Sequence, residues 1–408
     1  MTTPTHNRLS DLRGFHRLAN DATVGLTDLV EALHGTIARV PGIFGEAPKG
    51  RTTGVTGLVY RSVRGVTRVV GNGVDALLGV LAPLVAERPS SREREAVVAA
   101  LNGVLGDYLA ASGNPMAIAM QLRRGGLPLS IARPALGAAI PTAGRKLVVL
   151  LHGLCMNDQQ WTRDGHDHGT MLERDGGFTP VYLHYNTGLH VSANGRALAA
   201  LLETLINAWP EPVARLAIIG HSMGGLVARS ACHYAALAGH AWPQRLDRLV
   251  FLGTPHLGAP WERAGAWTEF LLGISAYTAP FARFSKVRSA GIKDLRHGNL
   301  RDEDWQTQPR AVARAARRSL PLPDGVRCYA IAASKQERPG TSQTRVRGDG
   351  LVPVASALGR HENATLDLGL PASHRRIYYG MGHFDLLSRA EVYAQIRAWL
   401  ADGPANRQ

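Results

Sequence analysis

Residues 213–229 read VARLAIIGHSMGGLVAR. The apolar run 216–219 has the length of a buried strand. The chain then turns through Gly220-His221-Ser222-Met223-Gly224. Leu226, Val227, Ser230 and Ala231 follow at helical spacing. A G-x-S-x-G between a strand and a helix is a nucleophile elbow. A serine hydroxyl is a weak nucleophile and must stand clear of the backbone where a base can reach it. Gly220 and Gly224 leave room for the tight turn that this requires, with Ser222 in a strained conformation. The helix that starts there aims backbone N–H groups and its dipole at any oxyanion formed beside Ser222. A chain with 45 glycines produces G-x-S-x-G by chance as an ordinary turn, so the flanking elements carry the argument.

Outward from this stretch, residues 145–400 alternate strands with helices. Strands are expected at 146–151 (KLVVLL), 180–185, 248–252, 326–332 and 375–379, and helices at 193–209 and 389–400. Such alternation means a mostly parallel sheet with helices on both faces, an α/β fold. Residues 1–140 show no alternating strand. Helical spacing is expected at 21–38, at 55–85 with a break at Gly71-Asn72-Gly73, and at 93–110. Residues 42–54 read as a loop and 112–144 as a Gly/Pro-rich link. The expected organisation is an accessory helical region over 1–140 and a catalytic domain over 141–403, with an insertion at about 257–323.

Several segments place chemistry near the elbow. His152-Gly153-Leu154-Cys155 follows the first strong strand. There Gly153 lets the chain turn so that the Leu154 N–H, with that of Met223, forms a two-donor oxyanion hole. His152 shapes this loop without titrating, and Cys155 lacks an elbow of its own. In Gly348-Asp349-Gly350 an Asp between two glycines can turn inward to orient an imidazole, although Asp-Gly alone usually marks a turn. His383, flanked by small residues in Gly380-Met381-Gly382-His383-Phe384, is free to reach Ser222. Gly253-Thr254-Pro255-His256-Leu257-Gly258 ends the strand after the elbow and is expected to wall the pocket. His256 is a rival base, weakened by preceding the acid in the chain.

From about residue 145 to 400 the sequence resembles α/β-hydrolase fold lipases and esterases. It is closest to the branch of bacterial triacylglycerol lipases and PGAP1-like hydrolases (GPI inositol-deacylase-like). The matching pieces are HGLC at 152–155, GHSMGG at 220–225, GTPHLG at 253–258, GDGLVP at 348–353 and GMGHFDLL at 380–387. The segment 289–295 (SAGIKDL) resembles one these enzymes carry before the acid. The order Ser222, Asp349, His383 is that of an α/β-hydrolase triad. The resemblance implies Ser222 as nucleophile, His383 as base, Asp349 as acid, and Leu154 and Met223 as oxyanion donors. Some members bind calcium through an Asp two residues after the histidine; Asp385 has that spacing, but no second ligand is evident.

The expected reaction is hydrolysis of carboxylic esters through an acyl-enzyme, with no cofactor and no metal. Trp261, Trp267, Phe270, Tyr277, Phe281 and Phe284 in the insertion suggest a lid over an acyl chain and favour lipophilic esters. Acyl transfer would use the same triad. An inactive scaffold binding lipid or a partner would ordinarily lack a triad member, and none is missing.

The net charge is +14. Only Lys49, Lys146, Lys286, Lys293 and Lys335 among the 46 basic residues are lysines, and the arginines are scattered. No nucleic-acid-binding motif stands out, so no nucleic-acid partner is expected. The apolar stripe at 55–85, with Arg61, Arg64 and Arg68 off it, makes the N-terminal helices candidates for peripheral membrane contact. Cys155, Cys232 and Cys328 do not make a disulfide framework. Without a signal-peptide pattern or a spanning apolar run, a cytoplasmic location is expected.

Overall fold

The computed structural model describes residues 5–6, 8–37, 54–81, 88–259, 289–306, 319–337 and 348–401. The chain divides into two compact units.

One unit comprises Thr5–Ser90 with Ser112–Met116. Its body is a pair of long helices, α1 (Arg8–Ile37) and α2 (Gly54–Leu81). Thr5–His6 also bridges Arg88–Pro89 in antiparallel fashion. Asp75 of α2 accepts from Arg13 Nε at 2.8 Å and Arg17 Nε at 2.5 Å, and Arg64 Nη1 donates to Asp28 at 3.0 Å. Two features differ from the sequence expectation. Helix α1 begins at Arg8, not 21, and α2 runs unbroken through Gly71-Asn72-Gly73. A helical glycine costs only about 1 kcal/mol, and the double arginine clamp on Asp75 secures α2 just past these residues. The loop expected at 42–54 lies, up to residue 53, outside the described residues.

The other unit comprises Ser91–Ala111 and the chain from Ala117 onward. It opens with α3 (Arg92–Ala111). Its sheet has eight strands: β1 (Gln121–Arg124), β2 (Leu127–Pro128), β3 (Lys146–Leu151), β4 (Thr179–His184), β5 (Arg215–His221), β6 (Leu246–Leu252), β7 (Arg327–Ser334) and β8 (Arg375–Tyr379). The spatial order is β8-β7-β6-β5-β3-β4-β1-β2. From β8 to β4 every pairing is parallel; β1 and β2 add an antiparallel edge. The central strands are buried on both faces, which is why they read as continuous apolar runs.

The β1–β2 hairpin lies in the stretch read from the sequence as a link. Four residues containing two arginines carry no alternating apolar signal. The available cue is Gly125-Gly126, whose φ values of 58° and 77° form the two-residue connection. Two positive φ angles suit a tight hairpin turn.

Further helices are α4 (Arg133–Ala139), α5 (His168–Gly176), α6 (Val191–Ala208), α7 (Met223–Ala238), α8 (Ala290–His297) and α9 (Ala390–Ala401). Helix α7 is buried along most of its length, and Gly224 and Gly225 bring it against Leu151 and Phe251 of the sheet. A methyl group on Gly224 would fall 2.2 Å from the Leu151 carbonyl oxygen. That close approach brings the start of α7 against the end of β3. The elbow and the His152 loop therefore meet.

Candidate active site

Ser222 occupies the junction between β5 and α7 with φ 52° and ψ −121°. A left-handed φ on a non-glycine residue costs of order 1–3 kcal/mol. The neighbourhood holds it there. The Ser222 N–H donates to Leu252 O at 2.8 Å, and the Gly225 N–H donates back to Ser222 O at 3.1 Å. Ser222 itself is buried.

The loop after β3 lies against it. A methyl on Gly153 would sit 3.1 Å from Ser222 Cβ and 3.2 Å from His221 Nδ1. This loop closes through Met156 N–H to Gly153 O at 3.3 Å. Cys155 takes φ 59°, and its N–H donates to Thr187 Oγ1 at 3.1 Å. Leu154 belongs to this turn. Met223 is the first residue of α7, where an amide has no carbonyl partner four residues back.

His152 is fully buried. Its Nδ1 bonds Gly153 O at 2.9 Å, its ring stacks on Tyr185 at 4.5 Å, and Tyr185 Oη donates to its carbonyl at 2.8 Å. Burial pushes its imidazole down to about 3, so it stays neutral and shapes the loop. Burial pushes the Cys155 thiol up, which keeps it protonated and a poor nucleophile.

The structure joins His383 and Asp349. Nδ1 of His383 lies 2.6 Å from Asp349 Oδ2. Asp349 Oδ1 accepts from the amides of Leu351 at 2.9 Å and Val352 at 2.8 Å. Gly350 has φ 102°, a conformation that side chains rarely adopt, and so permits the turn that holds this carboxylate. A carboxylate oxygen is an acceptor, so the contact is made by Nδ1–H and leaves Nε2 on the side of the ring away from Asp349. That Nε2 is buried with no hydrogen-bond partner among the described residues. The His383 turn is fastened by Asp385 Oδ2, which accepts the Gly382 N–H at 2.7 Å, and by His221 Nε2 on the His383 carbonyl at 3.2 Å.

His383 and Ser222 border the same strand end. A methyl on Gly253 would meet His383 Cε1 at 3.0 Å, and the preceding Leu252 carbonyl takes the Ser222 amide.

His256 stands apart from this pairing. Its Nδ1 lies 3.2 Å from Arg229 Nη1, and burial with the arginine charge pushes it well below the ordinary histidine value. It borders a cavity of about 90 Å³ with Arg229, Leu257, Ser319, Leu320 and His361, which none of Ser222, Asp349 or His383 lines. The 253–258 segment thus touches the candidate base at Gly253 and a separate cavity at His256.

The aromatic residues of the expected lid, Trp261 to Phe284, lie outside the described residues. The described part of the insertion is tied down. Ser289 Oγ donates to Gly103 O at 2.7 Å, and buried Asp294 accepts from the Val191 amide and from His190 Nδ1, both at 2.9 Å. Among the described residues no group of three or more His, Cys, Asp or Glu could hold a metal ion.

Sequence reasoning missed the support beneath the His152 loop. Arg123 Nη1 reaches Glu95 Oε2 at 2.9 Å and Asp158 Oδ1 at 3.3 Å, and His184 Nδ1 lies 3.1 Å from the same Asp158 oxygen. Burial alone would raise Asp158, but His184 and Arg123 hold it below the ordinary carboxylate value. Helix α3 also backs the loop, since a methyl on Gly103 would fall 2.2 Å from Cys155 Sγ. These partners are distant in sequence and form no motif.

No curated protein matches the chain. Among solved structures, mature Bacillus licheniformis lipase BlEst2 is 17% identical with a TM-score of 0.40, covering 62% of this chain and 91% of that one. Aspergillus fumigatus lipase B is 16% identical with a TM-score of 0.40, covering 70% and 61%. Legionella pneumophila phospholipase PlaB is 15% identical with a TM-score of 0.34, covering 52% and 45%. Residues 142–326, which hold the elbow, the His152 loop and the Gly253 segment, match the PGAP1-like alpha/beta domain family, the resemblance that their motifs had suggested.

Proposed function

We propose that this protein is a carboxylic ester hydrolase working through an acyl-enzyme on Ser222. The observation that carries the reading is the buried His383–Asp349 pair, whose imidazole lies against Gly253, the residue just past the strand end that holds the Ser222 backbone.

In the proposed cycle Ser222 Oγ attacks the ester carbonyl carbon while His383 Nε2 takes the hydroxyl proton. Asp349 holds the imidazole in its productive tautomer and stabilises the imidazolium. The N–H groups of Leu154 and Met223 stabilise the oxyanion, and each such donor is typically worth about 10²–10³ in rate. Collapse expels the alcohol, which receives the proton from Nε2. Water, deprotonated by the same nitrogen, then releases the acid and regenerates Ser222.

The substrate class we assign is a lipophilic ester, on the basis of the six aromatic side chains between residues 261 and 284. A p-nitrophenyl ester series from acetate to palmitate tests both parts. The reading expects turnover that disappears in Ser222→Ala and favours longer chains. An optimum at acetate would remove the lipophilic assignment. No turnover on any ester would overturn the hydrolase reading.

A further inference from the structure

The α1–α2 pair places charge in its seam and apolar side chains outside. Arg13, Arg17 and Asp75 meet between the helices, as do Arg64 and Asp28, and Arg64 is only 3% exposed. Outside, α2 presents Leu58, Val63, Val66, Val69 and Val70, with exposures of 43–74%. Leu58, Val66 and Val69 recur at intervals of eight and three residues, and Val63 and Val70 at seven, so they form one broad face. On α1, Leu12 and Phe15 are also about half exposed. Arg61 and Arg68, seven residues apart, are exposed along the flank of the valine face. An ordinary surface helix turns its apolar stripe inward. This face is the reverse and needs an apolar partner.

We infer that this face of the α1–α2 pair docks on the surface of an anionic lipid bilayer. Charge selects that occupant. Residues 5–90 carry ten Lys and Arg against seven Asp and Glu, and exposed Arg61 lies one turn on from Leu58 at the edge of the apolar face, an arrangement that suits an in-plane helix on an acidic membrane. The same charge opposes a second copy of the chain on this face. No described helix is long and apolar enough to cross a membrane, so contact is with the surface. The inference does not depend on the hydrolase reading.

The test is sedimentation of the full chain with vesicles of phosphatidylcholine alone or mixed with phosphatidylglycerol. The wild type should pellet with the anionic vesicles and be released by salt. Val66→Asp with Val69→Asp should weaken partitioning about tenfold or more, because both side chains lose apolar burial and gain charge. Arg61→Glu with Arg68→Glu should weaken it on anionic vesicles only. Helical circular dichroism and melting temperature, read alongside, separate lost docking from lost folding. Wild type that stays in solution with both vesicle types would overturn the inference. So would folded valine variants that bind as wild type does, or a wild-type dimer that those variants make monomeric, since that would assign the face to a second copy.

Discussion

Nδ1 of His383 lies 2.6 Å from Oδ2 of Asp349, while the other carboxylate oxygen already holds the amides of Leu351 and Val352. The carboxylate is thus oriented from behind before it orients the imidazole. Asp349→Asn should keep the two amide contacts through its oxygen but present an NH₂ to Nδ1. That favours the wrong tautomer, and kcat should fall about 10⁴-fold with little change in melting temperature. Steady-state kinetics and a thermal melt of the variant check this.

His256 offers the contrasting experiment. It is buried against Arg229 and pairs with no carboxylate among the described residues. His383→Asn should lose turnover about as completely as a triad deletion, whereas His256→Asn should retain kcat within about tenfold, the scale of a small indirect displacement. Equal loss in the two variants would return His256 to the list of bases.

The contact between Gly153 and the elbow predicts a graded effect. A methyl there would be 3.1 Å from Ser222 Cβ and 3.3 Å from Met156 Sδ, tight but not impossible. Gly153→Ala should fold and lose about 10–10² in kcat, because the loop that carries Leu154 must shift. Gly224→Ala, whose methyl would meet the Leu151 carbonyl at 2.2 Å, should instead fail to give stable protein. Circular dichroism and kinetics on the two variants distinguish the outcomes.

The strands around this site were legible because β3, β5 and β6 are buried on both faces and leave unbroken apolar runs. The candidate residues were legible because Ser222, Asp349 and His383 each sit among glycines or other small residues. What could not be read is what holds them. Thr187 supports Cys155 and Arg123 supports Asp158 across more than thirty residues, and such pairings exist only once the sheet is assembled. The β1 strand was hidden by its arginines. Helix α2 was expected to break at Gly71-Asn72-Gly73 because the tertiary clamp on Asp75 has no local signal.

Buried histidines set an acid limit on stability. Burial pushes His152 down to about 3 and His168 down to about 4, from 6.5. Between those values and 6.5 the unfolded chain binds more protons than the folded one, so stability falls as pH drops below about 6.5. By about pH 5 each should have cost roughly 2 kcal/mol. Urea denaturation at neutral pH and at pH 5 should show the loss. His168 Nε2 lies 2.9 Å from Leu386 O, and His168→Gln, whose amide can donate to the same oxygen, should reduce the loss by about one residue's share. A flat profile would contradict the assignment of neutral buried imidazoles.

Arg123 neutralises two buried carboxylates, Glu95 and Asp158. Arg123→Met would leave both without their shared cation. Removing one member of a buried ion pair typically costs about 3–5 kcal/mol. Denaturant midpoints should reveal a loss of that size, and Glu95→Gln added to Arg123→Met should recover part of it.

The central claim is that Ser222 is an activated nucleophile, and covalent labelling tests it most directly. A fluorophosphonate probe reacts with a serine whose proton is being withdrawn. Mass spectrometry of the labelled protein should find one adduct on the peptide containing Ser222, and labelling should be lost in Ser222→Ala and His383→Asn. Folded wild-type protein that takes up no probe, or that carries it on another residue, would contradict the account.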